Sequence, residues 1–548
     1  MAIVNFDKEI FEKEIGKINE KMENRISMFG TPVEKIDNKE IQIEIFPNRQ
    51  DLLSYQGFKR AFLAFLDRKT GLKKFNVTKS GYKLIVDKSL PKEWPYAFSC
   101  IVKGLKFNDK KIKEIIDLQE KLGTTLLRKR KKGGLGIYPL EKINFPVKFK
   151  GLNPKEIKFR PLESSSEMTG NQILSKHPTG REYSHIMKGW NKFPVFVDDK
   201  GIIMSMPPII NSRDVGKIDS TTRDIFVECT GPNKNTLKDA LNIVVSSLSE
   251  IGGKIYSIEC IQQNGKKEVF PDFTPEKMKI SLDNVNKLLG LSLKEPDVKK
   301  FLERMGYGYS KGVVSIPAYR TDVLHEVDLI EDIAIAYGYE NFVPEIPEIS
   351  TIGQENPRET IKRKISEIFL GLGILEISNH YLTNEKNQFG KMNMQKKDFI
   401  KLEESKTDYT ILRKDLSHYM LKILSENIDS EYPQKIFEIG KTFGFNENEK
   451  ITESEKLAVA ISSGNFTEIK QIIEYFFKMI NMEIKIEEPL TGEAPKYFIE
   501  GRVAKIIFDK KEIGFIGDIH PRILKKWKMK MPVALCEISL EEIFEKLE

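Results

Sequence analysis

Four carboxylates close to residue 330 have the type and spacing that could bind a hard cation. In the segment PAYRTDVLHEVDLIEDIAIAYGYENF, Pro317–Phe342, apolar residues recur at helical spacing and predict a helix over about 323–337. Asp328, Glu331 and Asp332 then stand at positions i, i+3 and i+4, and Asp322 lies at the helix start. They face away from an apolar stripe made of Val327, Ile330, Ile333, Ala334 and Tyr337. Oxygen donors of this kind suit Mg²⁺, which often takes one or two carboxylates directly.

The spacing of these carboxylates leaves three interpretations open. Like charges at i, i+3 and i+4 repel, so a magnesium ion could compensate them. Basic residues of a partner protein could do the same. Acids near a helix N-terminus also complement the helix dipole while they face solvent, and the spacing taken alone favours this last interpretation.

Another carboxylate, Glu228, lies in the apolar segment DIFVECTG, which has the pattern of a strand. Strand alternation places Phe226 and Glu228 on one face. If that face lines a pocket, Glu228 could hydrogen bond a substrate hydroxyl. The alternative is an exposed glutamate on an edge strand. Just upstream, the segment SMPPIINSRD offers the polar side chains of Asn211 and Ser212 after two stiffening prolines.

The remaining chemical signals are weaker. The run RKRKK, 128–132, could bind phosphate groups or form a solvated loop. His185 is more typical of a structural histidine than of a base, and His325 could cover a helix start. No phosphate-binding GxxxxGK[ST] motif, HExxH motif or Ser/His/Asp order is present. The scattered cysteines favour neither a disulfide framework nor a cysteine-based zinc site.

Length and composition describe a multidomain protein with ordinary buried cores. The 548 residues correspond to about three to five domains. With 40% hydrophobic and 31% charged residues, wholesale disorder is excluded. The net charge of +8 is compatible with nucleic acid binding but does not establish it. No apolar run approaches the roughly 18 residues of a membrane span, and the N-terminus lacks a signal-peptide pattern, so we expect a soluble cytoplasmic protein that binds no membrane.

The pattern of elements predicts an α+β multidomain fold. A small N-terminal α/β unit is expected over 1–90 and an α+β domain over 91–272. Two short helices and a strand pair in 273–347 suggest a winged-helix-like module that contains the acidic helix. The last segment, 355–548, is predicted to form an antiparallel sheet with helices on one face. No internal repeat is apparent.

Several of these segments together resemble phenylalanyl-tRNA synthetase beta subunits of the archaeal and eukaryotic type. RTDVLHEVDLIEDIAIAYGY resembles the signature at the end of the winged-helix-like domain, and EIFPNRQDLLSYQGFKRA resembles the N-terminal signature. LGIYPLEKINFP, HPTGREYSH, SMPPIINS and FVECTG are similar to the tRNA-editing domain. TILRKDL, KIFEIGKTF and GFIGDIHPRILKKW are similar to the C-terminal synthetase-like domain. The segments follow the family's order along nearly the whole chain.

The resemblance implies a cytoplasmic tetramer of two alpha and two beta subunits. The alpha subunit would bind ATP and phenylalanine and charge the tRNA, while the beta subunit would supply scaffold, tRNA contacts and editing. A Mg²⁺ ion, at a site shared with alpha, is implied for the acidic residues Asp322, Asp328, Glu331 and Asp332. The domain over 355–548 would be a class II synthetase catalytic-like domain that is catalytically inactive, and the arginine-containing segment that binds ATP in such domains is not visible in it.

The resemblance also implies an editing site. Tyrosine differs from phenylalanine by one hydroxyl, which an apolar pocket rejects by only about 100-fold. Glu228 matches the glutamate that recognises this hydroxyl in the family, with Asn211 and Ser212 in the pocket wall, and mischarged Tyr-tRNA would be hydrolysed. The sequence departs from many relatives by having Tyr138-Pro139 in place of His-Asp. The alternative function is a free-standing tRNA-binding or trans-editing protein that acts without alpha.

Overall fold

The chain forms two compact units, Met1–Ile346 and Pro347–Glu548. The computed structural model describes residues 2–403, 405, 407–446 and 448–547. Among these residues, no helix combines the length and apolar character needed to cross a bilayer. The four cysteines are free and buried.

The N-terminal module is a three-stranded antiparallel sheet with helices. Its elements are β1 Ala2–Asp7, α1 Lys8–Glu14, α2 Glu20–Met28, β2 Val33–Ile36, β3 Glu40–Ile45 and α3 Tyr55–Phe65. The strand order is β1-β3-β2. Helix α3 begins after Ser54, whose hydroxyl accepts a hydrogen bond from the backbone of Gly57. The helix then buries Phe58 and Phe62 in an aromatic core.

The next module is built on a ten-stranded mixed sheet. Its strands and helices are β4 Val77–Val86, β5 Tyr96–Lys103, α4 Asp109–Thr124, β6 Gly134–Pro139, β7 Val147–Leu152, β8 Lys158–Phe159, β9 Met168–Thr169, α5 Gly170–Lys176, α6 Pro178–Tyr183, β10 Phe193–Val197, β11 Ile203–Met206, β12 Ile210–Asn211, α7 Arg213–Gly216, β13 Ile225–Gly231, α8 Lys234–Glu250, β14 Lys254–Ile261 and β15 Lys267–Phe270. The order is β12-β11-β10-β7-β4-β14-β5-β13-β6, with β15 beside β14, while β8 and β9 pair separately.

Two strands of this sheet, β4 and β13, have neighbours that differ from those expected from the sequence. Strand β4 falls in the segment 1–90 that we predicted as the N-terminal unit, but it pairs in parallel with β14 and β7 of the large sheet. Strand β13, which carries Glu228, lies between β5 and β6. Glu228 is therefore on an inner strand, and the edge-strand interpretation is wrong.

The third module repeats the topology of the first. Its elements are β16 Glu276–Lys279, α9 Leu282–Leu289, α10 Glu295–Arg304, β17 Gly308–Ser310, β18 Val313–Ile316 and α11 Glu326–Tyr337. The order along the chain is again strand, two helices, two strands and a helix, and the sheet order β16-β18-β17 matches β1-β3-β2. The structure thus contains an internal repeat that the sequence did not reveal.

The second unit contains a seven-stranded sheet of order β19-β22-β23-β27-β26-β25-β24. Its elements are α12 Pro357–Gly371, β19 Leu375–Glu376, β20 Leu382–Thr383, β21 Ile411–Leu412, α13 Ser417–Glu426, β22 Gln434–Phe445, β23 Ile451–Ser462, α14 Phe466–Met479, β24 Lys485–Glu487, β25 Phe498–Phe508, β26 Lys511–Ile519, α15 Pro521–Lys526, β27 Val533–Ser539 and α16 Glu541–Leu547. The strands are antiparallel apart from β19, which pairs in parallel with β22.

Helices cover both faces of this sheet, so the expectation of helices on one face is wrong. Leu457 and Val459 of β23 enter a core with α12, α14 and α16. The alternating residues Ala458 and Ala460 enter a second core with α13 and α15. Because successive strand residues point to opposite faces, both faces are buried.

Candidate functional site

The acidic helix α11 begins with a reciprocal cap. The backbone N–H groups of Leu324 and His325 each donate to Oδ2 of Asp328 at 2.7 Å. The Nδ1 atom of His325 accepts from the backbone of Val327 at 3.2 Å. His325 therefore covers the helix start, as the sequence suggested. One oxygen of Asp328 satisfies backbone donors that would otherwise lack partners.

Two further members of the acidic cluster share the single positive charge of Arg320. Its guanidinium donates to both oxygens of Asp322 at 2.8 Å and to Oδ2 of Asp332 at 2.7 Å. The hydroxyl of Tyr307 donates to the same oxygen of Asp332. Burial would raise the pKa of Asp322, but attraction and hydrogen bonding from Arg320 outweigh it and lower the pKa. The cluster thus contains a cation of its own, and the sequence pattern alone did not indicate this role of Arg320.

The first module contains a matching arginine–aspartate pair at the same place in its repeat. Arg49 donates to the two oxygens of Asp51 at 2.9 and 3.0 Å. Gln50 and Thr321, the middle residues of the two Arg-x-Asp segments, are hydrogen bonded to each other. The Thr321 hydroxyl donates to Oε1 of Gln50 at 2.5 Å. The sequence signal was the Arg-x-Asp spacing after the third strand of each module, in PNRQD and in AYRTD. The two signature segments meet in one polar network.

Glu331 is the exposed member of the cluster. Its pKa is raised by partial burial and by the neighbouring charges of Asp332 and Asp328. The predicted apolar stripe is also altered, because Val327 is 47% exposed while Asp332 is buried. In the part of the chain that the structure describes, no group of three or more His, Cys, Asp and Glu side chains is placed to hold a metal ion.

The donor chemistry of the cluster therefore does not fit a metal site formed by this chain alone. Both oxygens of Asp322 and one of Asp332 already accept hydrogen bonds from a guanidinium. Part of the compensation expected from Mg²⁺ comes instead from Arg320, which contacts Asp322 and Asp332. Magnesium binding at the four residues stays a prediction, and the geometry supports a structural role for Asp322 and Asp332.

Glu228 has different surroundings. Its side chain is 2% exposed, and Oε1 accepts a hydrogen bond from the hydroxyl of Tyr138 at 3.0 Å. Oε2 is buried and makes no hydrogen bond with any described residue. Burial raises the pKa of Glu228 to about 8 despite the hydrogen bond from Tyr138. A buried carboxyl with one free oxygen is a group that can bind a polar ligand atom.

Tyr138 connects Glu228 to Asn211. Tyr138 lies on β6 opposite Phe226, and Gly136 of the same strand lies opposite Glu228. The Tyr138 hydroxyl is 3.1 Å from Oδ1 of Asn211, so its single proton can serve either Asn211 or Glu228. Burial, followed by the Glu228 charge, raises the pKa of Tyr138 well above its usual value. Of the three predicted pocket residues, the structure thus brings Glu228 and Asn211 together.

Ser212 has a local structural role. Its hydroxyl accepts from the backbone of Asp214 at 3.3 Å and caps α7. Its own backbone donates to the carbonyl of Met204 at 2.7 Å. Thr230, two residues after Glu228 on the same strand face, is a further candidate, because its buried hydroxyl makes no hydrogen bond with the described residues.

The basic run before β6 is a strained turn. Arg128, Lys129 and Arg130 have φ values of 44°, 51° and 63°, a left-handed conformation that costs non-glycine residues roughly 1–2 kcal/mol each. The Arg130 guanidinium donates to the carbonyl oxygens of Pro208 at 3.2 Å and Ile209 at 2.7 Å. It also lies 4.3 Å from the centre of the Tyr183 ring. Arg130 thereby ties the turn to the segment that leads to Asn211.

In the second unit, the most buried arginine is committed to an internal carboxylate. Arg413 donates to Glu438 at 2.6 Å and to the carbonyl of Lys441 at 2.7 Å. The side chains of Arg413 and Glu438 are each 1% exposed. A side chain at position 440 would collide with the Arg413 guanidinium, so no free space remains between this arginine and the backbone of Gly440. Arg413 is not free to bind a phosphate.

Two family models match the chain. The model described as the phenylalanyl tRNA synthetase beta chain CLM domain covers residues 343–540. The model described as the tRNA synthetase B5 domain covers residues 278–339, which include the acidic helix.

Curated relatives match along nearly the whole chain. The phenylalanine–tRNA ligase beta subunit of Archaeoglobus fulgidus is 35% identical over 100% of this chain and 99% of that protein. The subunit of Thermococcus sibiricus is 36% identical over 91% of this chain and 90% of that protein. A crystal structure of an N-terminal fragment of the phenylalanyl-tRNA synthetase beta subunit from Pyrococcus horikoshii matches with a TM-score of 0.59 and 34% identity. It covers 61% of this chain and 99% of the fragment.

Proposed function

Because the chain belongs to the family of phenylalanine–tRNA ligase beta subunits, we propose that it acts with an alpha subunit to attach phenylalanine to its tRNA in an ATP-dependent reaction. The observation that carries this conclusion is the 35% identity to an archaeal beta subunit over the full length of both chains. The chain is accordingly a component of an aminoacyl-tRNA synthetase. An assembly of two alpha and two beta subunits is part of the proposal.

In this proposal the alpha subunit binds ATP and phenylalanine, and this chain does not form the adenylate. The unit 347–548 would be a class II synthetase-like domain without catalysis. A phosphate clamp needs arginines whose donors can reach the ligand. The buried pairing of Arg413 with Glu438 and the carbonyl of Lys441 supports the proposal, because it occupies the guanidinium.

The editing function is proposed for the pocket around Glu228. A tyrosyl group that enters the pocket would donate its phenolic hydroxyl to Glu228, and Asn211 would lie beside it. Tyr138 supports this assignment, because its own phenol already approaches Oε1 at 3.0 Å. A phenylalanyl group has no hydroxyl and would make no such hydrogen bond. Water would then attack the ester carbonyl, and the products would be tyrosine and tRNA with a free 3′ hydroxyl.

The tRNA contact is proposed for the basic turn. Lys129 and Lys131 are exposed, and β6 begins two residues after Lys132. Backbone strain at consecutive residues persists only where the surrounding structure enforces it, and such segments concentrate at functional sites. Cations in this position would hold the phosphates of the tRNA acceptor end and direct its 3′ terminus towards Glu228.

Magnesium at the acidic cluster has no part in this proposal. Asp328 keeps one oxygen outside the helix cap and Glu331 is exposed, so these two carboxylates can meet basic residues of the alpha subunit. This corresponds to the partner interpretation that the spacing left open.

The test is phenylalanine charging of tRNA by this chain alone and after co-expression with its alpha subunit. We expect a stable complex, with charging by the complex and none by the chain alone. Charging by the chain alone would contradict the assignment of the second unit as inactive. A mixture that neither associates nor charges tRNA would favour the free-standing tRNA-binding protein instead.

A further inference from the structure

We propose that Tyr138 determines the specificity of the Glu228 pocket by acting as a built-in competitor of the substrate. Its phenol takes the place at Glu228 that the phenol of a tyrosyl ester would take. The wild-type chain would therefore hydrolyse Tyr-tRNA slowly, and removal of Tyr138 would open the site. This inference rests on the proposed editing function of the pocket.

The first support is the path that the Tyr138 side chain follows. Tyr138 is opposite Phe226, two residues away from the strand position that faces Glu228. Its hydroxyl nevertheless reaches the Glu228 carboxyl by passing over Gly136. A Cβ atom at Gly136 would lie 2.5 Å from this hydroxyl and even closer to Oε1 of Glu228. The contact between Tyr138 and Glu228 therefore requires glycine at position 136.

The second support is that the ring is held from several sides. Asn211 lies 3.1 Å from the hydroxyl, and the rings of Tyr138 and Phe226 are 5.9 Å apart. Tyr138 is fully buried. A second phenol cannot reach Oε1 while this ring is in place, because packed interiors leave no room for another ring.

The third support is the energetics of discrimination. A site rejects a substrate that lacks a hydroxyl when the polar group of the site is then left unpaired. Here Tyr138 keeps Oε1 of Glu228 paired whether the pocket is empty or holds a phenylalanyl group. At Oε1 a tyrosyl group would have to displace the Tyr138 phenol, so one phenol hydrogen bond would replace another. Both the rate of tyrosyl hydrolysis and the preference for tyrosyl over phenylalanyl esters should therefore be low.

The experiment measures hydrolysis of purified Tyr-tRNA and Phe-tRNA by the complex of this chain with its alpha subunit. We expect Tyr138→Ala to raise kcat/KM for Tyr-tRNA by about tenfold or more, with no comparable rise for Phe-tRNA. Tyr138→His should also raise it. Tyr138→Phe should give little or no rise, because its ring still occupies the place of a second phenol. Adding Glu228→Ala to Tyr138→Ala should remove the gain.

Two controls separate this role from a general effect of core substitution. Tyr55→Phe removes another phenol–carboxylate hydrogen bond, at 2.8 Å to Glu14 and outside the pocket, and should leave Tyr-tRNA hydrolysis unchanged. Phenylalanine charging reports whether each complex is intact. If Tyr138→Ala fails to fold, Tyr138→His decides the matter, because its ring is smaller than a phenol and leaves room beside Oε1. A structural tyrosine would give losses on substitution and no substrate-selective gain.

The contrary outcomes are distinct. Rapid Tyr-tRNA hydrolysis by the wild-type complex that Glu228→Ala abolishes and Tyr138 variants do not increase would overturn this inference and leave the editing function intact. Hydrolysis that stays at the uncatalysed rate in the wild type and in every Tyr138 variant would overturn the editing function together with the inference.

Discussion

Glu228 and Asp332 are buried carboxyl groups in the same unit, with 2% and 5% exposure, but their partners differ in kind. Asp332 accepts hydrogen bonds from the Arg320 guanidinium and the Tyr307 hydroxyl. Glu228 accepts one from the Tyr138 hydroxyl and has no ion-pair partner among the described residues. Burial raises the pKa of Glu228 to about 8.

The difference shows how a buried carboxyl group that stabilises a fold can be told from one that is available to a ligand. A buried carboxylate is tolerated when a cation and several hydrogen-bond donors surround it, as Arg320 and Tyr307 surround Asp332. A carboxyl without a cation takes up a proton instead and keeps unused hydrogen-bonding capacity. The acidic helix had the denser sequence pattern, yet the isolated Glu228 has the surroundings expected of a recognition group.

The largest expected effect is that of removing the cation from the acidic cluster. Arg320→Met should destabilise the chain by about 3–5 kcal/mol, because Asp322 and Asp332 would be buried without compensation. The measurement is denaturant unfolding. The matched control is Arg25→Met, which breaks an exposed pair with Glu340 and should cost no more than about 1 kcal/mol. Equal costs for the two variants would show that the cluster is ordinary surface.

The pH dependence of stability should have opposite signs in the two regions. Because the folded-state pKa of Glu228 is raised to about 8, the wild type should lose stability relative to Glu228→Gln as pH rises from roughly 5 to 8. The free energy of unfolding should fall by up to about 1.4 kcal/mol per pH unit.

Because the pKa of Asp322 is lowered, the stability that Asp322 contributes relative to Asp322→Asn is present above the ordinary pKa of 3.8 and is lost below it. Unfolding curves from about pH 3 to pH 8 would test both signs. Parallel curves for the wild type and Glu228→Gln would contradict the comparison.

A smaller effect is expected where the backbone approaches Glu228. Gly136→Ala should cost about 1–3 kcal/mol, since the added methyl group collides with the Glu228 carboxyl and the Tyr138 hydroxyl. Gly123→Ala is the control, because a Cβ there meets open space near the end of a helix. It should be neutral or slightly stabilising. Thermal unfolding measures both variants, and a neutral Gly136→Ala would show that the contact is loose.

The smallest expected change concerns cations outside the pocket. The double variant Lys129→Ala/Lys131→Ala should bind tRNA more weakly. The slope of the logarithm of the tRNA association constant against the logarithm of the salt concentration should fall in magnitude by about 1.4–1.8. Stability should stay the same, since both side chains are exposed. Lys21→Ala/Lys39→Ala removes the same charge from the N-terminal module and should leave the slope unchanged. Equal slopes for the two double variants would contradict the proposal that the basic turn contacts tRNA.

The sequence predicted much of the architecture, because periodicity and capping act locally. The acidic helix, a histidine that covers its start, the multidomain α+β class and the boundary at 347 follow from such local patterns. The repeat of the first module in the third could not be predicted, because the two share topology and an Arg-x-Asp pair rather than a readable sequence period.

The site was harder to predict because its contacts join distant parts of the chain. Strand alternation placed Glu228 on the correct face with Phe226, but nothing local showed that β13 is an inner strand. The hydrogen bond from Tyr138 to Glu228 spans 90 residues of sequence. Arg320 is next to the acidic cluster in the sequence, but its hydrogen bond to Asp332 depends on how the chain turns before α11.

The most direct test of the central claim is an infrared titration of the two carboxyl groups in the intact chain. Difference spectra between the wild type and Glu228→Gln would follow the protonated carbonyl band from about pH 5 to pH 9. We expect a protonated Glu228 at neutral pH that ionises near pH 8, and no protonated band in the spectra between the wild type and Asp322→Asn over this range. A Glu228 that is already ionised at about pH 6 would contradict the claim that no compensating charge lies beside this buried carboxyl group.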